Sequence, residues 1–302
     1  MFARRIFRSV CASAFAAAVA LSILACSNAL AGNALPRWET LPPVPALPAP
    51  ERSGHADVNG IRMYYAIFGH GLPVLLIHNG LGSADDWGGV VPILARDHTV
   101  IVADTRGFGR STLGNQPLTY PLLAEDYVSL LQALRLHPVY LVGTSDGGII
   151  GLDIALHHPQ LLSGMFIQGA NINKDGIQTS PPDLTAVRLA LQRSKSEYTR
   201  LSATPDAYAR FRGVYNAMPQ PDYTVDKLAT IRVPTTVAIA DHDEGIKRSH
   251  SELIARSIPN ARVVVLKDVS HFAPIQNPVG YAEAIEASMS GRHMSSVTEP
   301  ER

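Results

Sequence analysis

The chain predicts an α/β fold, a mostly parallel sheet with helices on both faces. Three observations carry that reading. From His55 onward, apolar strand-like stretches alternate with amphipathic helix-like ones, the order that builds a parallel sheet. Several of the strand stretches are continuously apolar, such as Pro73-Val74-Leu75-Leu76-Ile77-His78, as strands buried on both faces are. One strand, Val139-Tyr140-Leu141-Val142, enters the tight turn Gly143-Thr144-Ser145-Asp146-Gly147 and leaves as an amphipathic helix. In such sheets the site lies past the carboxyl ends of the strands.

The elements follow in order. The stretch 61–68 reads as a strand after the Asn59-Gly60 turn. The stretch 73–78 is the next strand. Ser83 caps a short helix running through Trp87 to Ala95, with Asp86 as its capping-box partner. A strand spans 98–104. Thr119 opens a helix with Leu123, Tyr127, Leu130, Leu131 and Leu134 on one face. The strand before Ser145 and its helix run to about His158, and Met165-Phe166-Ile167 forms a further strand. Alternation stops over 171–224, where Leu184, Val187, Leu191, Tyr198, Tyr208, Phe211 and Tyr215 sit in helical stretches broken by Pro181-Pro182, Pro205 and Pro219. This insert reads as a small helical cap. Alternation resumes with strands at 235–240 and 263–266 and helices at 249–257 and 279–289.

Length and composition bound the rest. The 302 residues, 46% hydrophobic, suffice for a large core. A net charge of +0 argues for neither nucleic acid nor an anionic partner. The two cysteines are Cys11 and Cys26, so the folded part is expected to hold no disulfide, thiolate nucleophile or cysteine metal site. Residues 1–31 read as an export signal: Arg4, Arg5 and Arg8, an apolar run over 10–25, then Ala29-Leu30-Ala31 as a cleavage pattern. The run is too short and alanine-rich for a membrane anchor. Arg4-Arg5-Ile6-Phe7 resembles a twin-arginine signal, and Ile23-Leu24-Ala25-Cys26 resembles a lipoprotein box. The expectation is a periplasmic or extracellular protein, attached to a membrane only if Cys26 is lipidated. Residues 32–54 read as a proline-rich linker or surface strap. The core covers 55–170 and 225–290, the cap 171–224, and a polar, disordered tail 291–302.

The chemistry starts at Ser145. In G-x-S-x-G the nucleophile sits at a strained bend, and the residues two positions away must be small. The helix that follows aims free N–H groups and its positive end at an anion forming there. A serine hydroxyl needs a neighbouring base. His271, in the loop Asp268-Val269-Ser270-His271-Phe272-Ala273-Pro274, is the best of eleven histidines. His98 starts a strand, His250 reads as lying on a surface helix, and His157 and His158 diverge on a helix and do not read as a metal pair. The orienting acid follows the strand 235–240, where Asp243 is preferred to Asp241. Two oxyanion donors are expected. One is the backbone N–H of Asp146, and the other comes from Gly80, with Leu81 as second choice. The Asp146 carboxylate would oppose an oxyanion unless turned away, with Arg106 or Arg110 as the expected partner.

Five blocks in order then resemble the α/β-hydrolase superfamily. His78-Asn79-Gly80-Leu81-Gly82 resembles the oxyanion loop H-G-x-G, and Asp104-Thr105-Arg106-Gly107-Phe108-Gly109-Arg110-Ser111 the turn D-x-R-G-x-G-x-S. The third is the Gly143 to Gly147 elbow. Ala240-Asp241-His242-Asp243 resembles the acid loop G-x-x-D, which supports Asp243, and Ser270-His271-Phe272-Ala273-Pro274 the histidine loop. Asn79, Ala240 and Asp146 depart from the usual residues. The resemblance implies an α/β-hydrolase fold with an eight-stranded type of sheet and a serine hydrolase of small to medium, mostly apolar carboxylic esters, with no cofactor and no metal. A lactonase, C–C bond hydrolase, aminopeptidase or cofactor-free perhydrolase or haloperoxidase would use the same triad. A non-catalytic ligand-binding member is the reading outside enzymes.

Overall fold

The computed structural model describes residues 35–179 and 185–291. The export signal, the lipoprotein box, most of the polar tail, Pro181-Pro182 and Leu184 lie outside the described residues. The compact unit begins at Arg37.

Eight strands form one sheet: β1 (Arg52–Val58), β2 (Ile61–Phe68), β3 (Leu72–Ile77), β4 (His98–Ala103), β5 (Val139–Thr144), β6 (Leu162–Gln168), β7 (Thr235–Ala240) and β8 (Arg262–Leu266). Their order across the sheet is β1-β2-β4-β3-β5-β6-β7-β8. The pairs β1–β2 and β2–β4 are antiparallel, and all others are parallel. β1 begins inside the segment expected to be linker. Its residues are mostly exposed, so it carries no apolar alternation to announce it.

The parallel strands are apolar on both faces because both faces are covered. Leu75, Ile77, Ile101, Leu141, Met165 and Ile167 point into one core layer. Val74, Leu76, Val102, Val142 and Phe166 point into the other. The pleat's two-residue period makes this partition automatic. The first layer is sealed by helices α1 (Tyr120–Leu134) and α2 (Asp146–His157). Each fully buried Leu, Ile or Val contributes roughly 1.5–3 kcal/mol. Thr119 caps α1 by accepting the Leu122 N–H at 3.2 Å. Ser83 likewise accepts from Asp85 N at 3.3 Å, but the short helix is a 3₁₀ turn, Ala84–Gly89, followed by Val91–Leu94. Asp86 does not close a capping box; its carboxylate accepts from Asn79 Nδ2 at 3.4 Å.

Between β6 and β7 lie helices α3 (Thr185–Leu201) and α4 (Tyr208–Asn216). The longer helices after β7 are α5 (Arg248–Ser257) and α6 (Pro278–Met289); single helical turns lie at Val225–Leu228, before β7, and at Ala273–Gln276. Among the described residues no helix is long and apolar enough to cross a membrane. The proline-rich stretch is a strap with one 3₁₀ turn, Arg37–Glu39. Leu41 packs with Ala186, Ala190, Phe272 and Ile275, and Arg193 on α3 donates to the Leu41 and Pro42 carbonyls at 2.9 and 2.7 Å.

Candidate active site

Parallel register brings the ends of β3, β5, β6, β7 and β8 to one edge, and every candidate residue sits just beyond one of them. Ser145 follows β5 with φ 53°, a left-handed value rarely held by a residue with a side chain. Strain of this kind is sustained only where the surroundings over-determine it. Here the Ser145 N–H donates to the Gln168 carbonyl at 2.8 Å, while its own carbonyl accepts from Gly148 and Ile149 to start α2. A Cβ on Gly143 would strike the Gly147 backbone, and one on Gly147 would strike the Ile77 carbonyl. The elbow therefore needs both glycines.

His271 stands opposite, past β8. Its Nδ1–H donates to Asp243 Oδ1 at 2.8 Å. The same carboxylate oxygen accepts from the Gly245 and Ile246 N–H groups at 2.9 Å each, so the acid cannot swing away. Asp241 faces elsewhere, 3.6 Å from Lys267 Nζ. Gln168 ties the two halves together. Its carbonyl holds Ser145, and its Nε2 donates to Asp243 Oδ2 and the His271 carbonyl at 3.4 Å each. The imidazole lies against Gly169, the next residue. Among the described residues no hydrogen bond joins Ser145 Oγ to His271. Catalytic contacts of this kind are often loose without substrate and tighten when it seats.

Glu244 was not foreseen in this role. It is buried, and its Oε2 accepts the His271 backbone N–H at 2.9 Å. Burial raises its pKa against the lowering influence of His271. For His271 burial acts downward, but the Asp243 charge and hydrogen bond, then the charges of Glu244 and Asp146, outweigh it, and its pKa is pushed up to about 9.

The oxyanion side is built from backbone. The Asn79 carbonyl accepts from His78 Nδ1 at 2.7 Å and from Gly82 N at 3.1 Å. His78 is buried, and burial lowers its pKa. Its Nε2 accepts from Thr105 N at 3.0 Å, which leaves Nδ1 as the donor. In a trans peptide the N–H points opposite to the C=O, so the Gly80 N–H is turned outward from this loop. Leu81 N–H is donated to Asn79 Oδ1 at 2.9 Å. Of Gly80 and Leu81, Gly80 is the one left to face a ligand.

The Asp146 carboxylate is not held by an arginine. Arg106 is buried in a two-pronged pair with Asp126, both contacts at 2.7 Å, and Arg110 pairs with Asp104 and Asp85. Asp146 instead accepts from two phenols, Tyr120 Oη at 2.9 Å and Tyr215 Oη at 2.6 Å. Burial, reinforced by Asp146 itself, pushes both phenol pKa values up, so both remain donors. His250 is also corrected: it is buried and its Nε2 accepts from Ile172 N at 3.1 Å. His157 and His158 each have a carboxylate partner of their own, Asp153 and Glu125.

Phe108, Phe211 and Tyr215 make an edge-to-face aromatic wall beside this side of the site. Beyond it, a cavity of about 240 Å³ opens between residues 107–115 and the cap, bordered by Leu113, Tyr198, Thr204, Arg210 and Phe211.

A bent serine and an imidazole clamped by a carboxylate, at the carboxyl edge of a mostly parallel sheet, define a hydrolase of the α/β class. A sequence profile for the alpha/beta hydrolase fold matches residues 73–200, and the chain has the α/β-hydrolase fold. It is 27% identical over 239 residues to RutD of Pseudomonas savastanoi pv. phaseolicola, described as a candidate carbamate hydrolase, spanning 70% of this chain and 92% of that protein. It is 26% identical over 233 residues to the serine hydrolase BPHL of Homo sapiens, spanning 72% of this chain and 80% of that one. The solved structure of Est816, described as an N-acyl homoserine lactone degrading enzyme, shares the fold with a TM-score of 0.67 and 24% identity, over 78% of this chain and 99% of that one.

Proposed function

We propose that this chain cleaves carboxylic esters of small to medium, mostly apolar substrates through an acyl-enzyme on Ser145. The observation that carries the reading is the Asp243–His271 pair at 2.8 Å, joined through Gln168 to the strained Ser145. Ser145 Oγ attacks the ester carbonyl as His271 Nε2 takes its proton. Asp243 keeps Nδ1 protonated and stabilises the imidazolium without taking the proton itself. The tetrahedral oxyanion is received by the Gly80 and Asp146 N–H groups. Losing one such donor typically costs roughly 3–4 kcal/mol in the transition state. Collapse expels the alcohol with the proton from His271, and water then releases the acid by the same route. The aromatic wall of Phe108, Phe211 and Tyr215 favours an apolar acyl or alcohol group.

The proposal includes export, on the strength of the basic, apolar and Ala29-Leu30-Ala31 pattern alone. The test of the activity is a fluorophosphonate probe with a panel of short p-nitrophenyl esters, lactones and anilides. Wild type is expected to be labelled and to turn over the esters fastest. Ser145→Ala is expected to lose labelling and more than ~10⁴-fold in kcat. Ester turnover that survives Ser145→Ala overturns the reading.

A further inference from the structure

The cap helix α4 reaches both oxyanion donors at once. Arg212 Nη1 donates to the Gly80 carbonyl at 3.0 Å. One turn further on, Tyr215 Oη donates to the Asp146 carboxylate at 2.6 Å. The two side chains brace each other, with the guanidinium 4.4 Å from the centre of the Tyr215 ring. Arg212 Nη2 is steadied by Asn216 Oδ1 at 3.2 Å. Residues three apart on a helix share a face, so α4 presents the pair as one unit. The fit is close: a Cβ on Gly80 would overlap both the Tyr215 hydroxyl and the Asp146 carboxylate.

Each contact fixes a peptide. The Gly80 carbonyl belongs to the Gly80–Leu81 peptide, whose N–H is held by Asn79 Oδ1. With Arg212 on its carbonyl, that peptide is gripped at both ends. The Asn79–Gly80 peptide before it is gripped by His78 and Gly82. The only freedom left to the Gly80 N–H is small. On the other side, Tyr215 and Tyr120 hold the Asp146 carboxylate in place with two neutral donors, which fixes the side chain of the residue whose N–H is the second proposed donor.

We infer that Arg212 and Tyr215 are positioning residues for the oxyanion hole, so that the hole is complete only while α4 is docked on the core. This rests on the proposed serine-ester chemistry and adds a dependence that the triad alone does not contain. Hydrogen-bond donors work by being pre-aimed at where charge develops, and a misplacement of about 1 Å can cost ~10²-fold in rate. The hydroxyl and guanidinium touch no reacting atom. Their effect is on the transition state and not on substrate affinity.

The experiment uses the full chain and p-nitrophenyl butyrate. Arg212→Ala is expected to lower kcat by ~30–100-fold with KM within about threefold. A tetrahedral boronate inhibitor should lose affinity by the same factor, because it presents the oxyanion. Added guanidinium should restore activity to Arg212→Ala and not to wild type. Arg212→Lys, which keeps one donor, should fall between. Tyr215→Phe is expected to cost ~10-fold in kcat, and it carries the test if Arg212→Ala does not fold. Folded Arg212→Ala with kcat within twofold of wild type, or a loss expressed wholly in KM, overturns the positioning role while leaving the hydrolase reading intact. Absence of Ser145-dependent turnover in wild type overturns both.

Discussion

The two sides of the site are held in different ways. On the histidine side, His271, Asp243, Glu244 and Gln168 come from the ends of three adjacent strands, β6, β7 and β8, and bind one another. On the oxyanion side, Gly80 and Asp146 come from adjacent β3 and β5, but their partners include Arg212 and Tyr215 from the insert. In the proposed chemistry, proton transfer is therefore set by the core sheet, whereas stabilisation of the developing charge borrows from the cap. A change on the histidine side should alter rate and pH dependence together. A change at Arg212 in the cap, which is not among the charges acting on His271, should alter rate and leave pH dependence alone.

The sharpest way to break the histidine side is Asp243→Asn. The substitution keeps the shape but offers the wrong hydrogen-bonding partner to Nδ1, and such a change drops kcat by ~10⁴-fold where it has been made in a triad. Asp241→Asn, two residues away and facing Lys267, is expected to stay within about twofold. Ester kinetics on the pair of variants check this. Equal losses would remove the distinction between the two carboxylates.

A smaller effect separates the two sides by pH. With His271 pushed up to about 9, the neutral base that attack requires is the minor form at pH 7. The expected kcat/KM rises tenfold per unit and levels off near pH 9. Glu244→Gln removes one of the charges that hold the proton on, so its limb should move to lower pH. Arg212→Ala should keep the wild-type limb at reduced height. Stability carries the opposite sign. A base whose folded pKa exceeds the ordinary histidine value of about 6.5 stabilises the fold fully below about pH 6.5 and loses that contribution as pH rises through about 9. Melting followed across pH 6–10 should show this decline in wild type and not in His271→Ala. A kinetic limb near 6.5 would show that Asp243 and Glu244 do not hold the proton.

What could be read from the sequence was what is encoded locally. The apolar runs of β3 to β8 and the glycine-spaced bend at Ser145 announce themselves within a dozen residues, and the parallel architecture follows from their alternation. Strand β1 could not be read, because Arg52–Val58 is mostly exposed and is a strand only through its pairing with β2. The partners of Asp146 were misjudged for a similar reason. Arginines stand nearby in a motif, but Arg106 is taken by Asp126, twenty residues on, and the phenols come from 26 and 69 residues away. A buried carboxylate can be satisfied by neutral donors as well as by a cation, and composition does not say which. His250 looked like a surface residue because its helix is polar around it, and nothing in the polar acid loop singled out Glu244. Only packing against β8's loop and against Ile172 puts them inside.

The smallest expected effect concerns the strap, which touches the histidine side without entering its chemistry. Gln276 holds both. Its Oε1 accepts from Ser270 N at 2.7 Å, next to His271. Its Nε2 donates to the Thr40 and Trp38 carbonyls at 2.7 and 3.2 Å. Trp38 in turn stacks on His242 of the acid loop, with ring centres 3.7 Å apart. Gln276→Leu keeps the volume but leaves buried backbone groups without a partner, which costs about 1–3 kcal/mol. For a chain of this size that is a fall in Tm of roughly 2–6 °C. Asp243 stays anchored by Gly245 and Ile246 whatever the strap does, so kcat at permissive temperature should change by no more than about threefold. A thermal melt paired with ester kinetics decides it. A loss of kcat as large as that of Arg212→Ala would mean that the histidine side leans on its covering segment as heavily as the oxyanion side leans on the cap, and the contrast between the two would vanish.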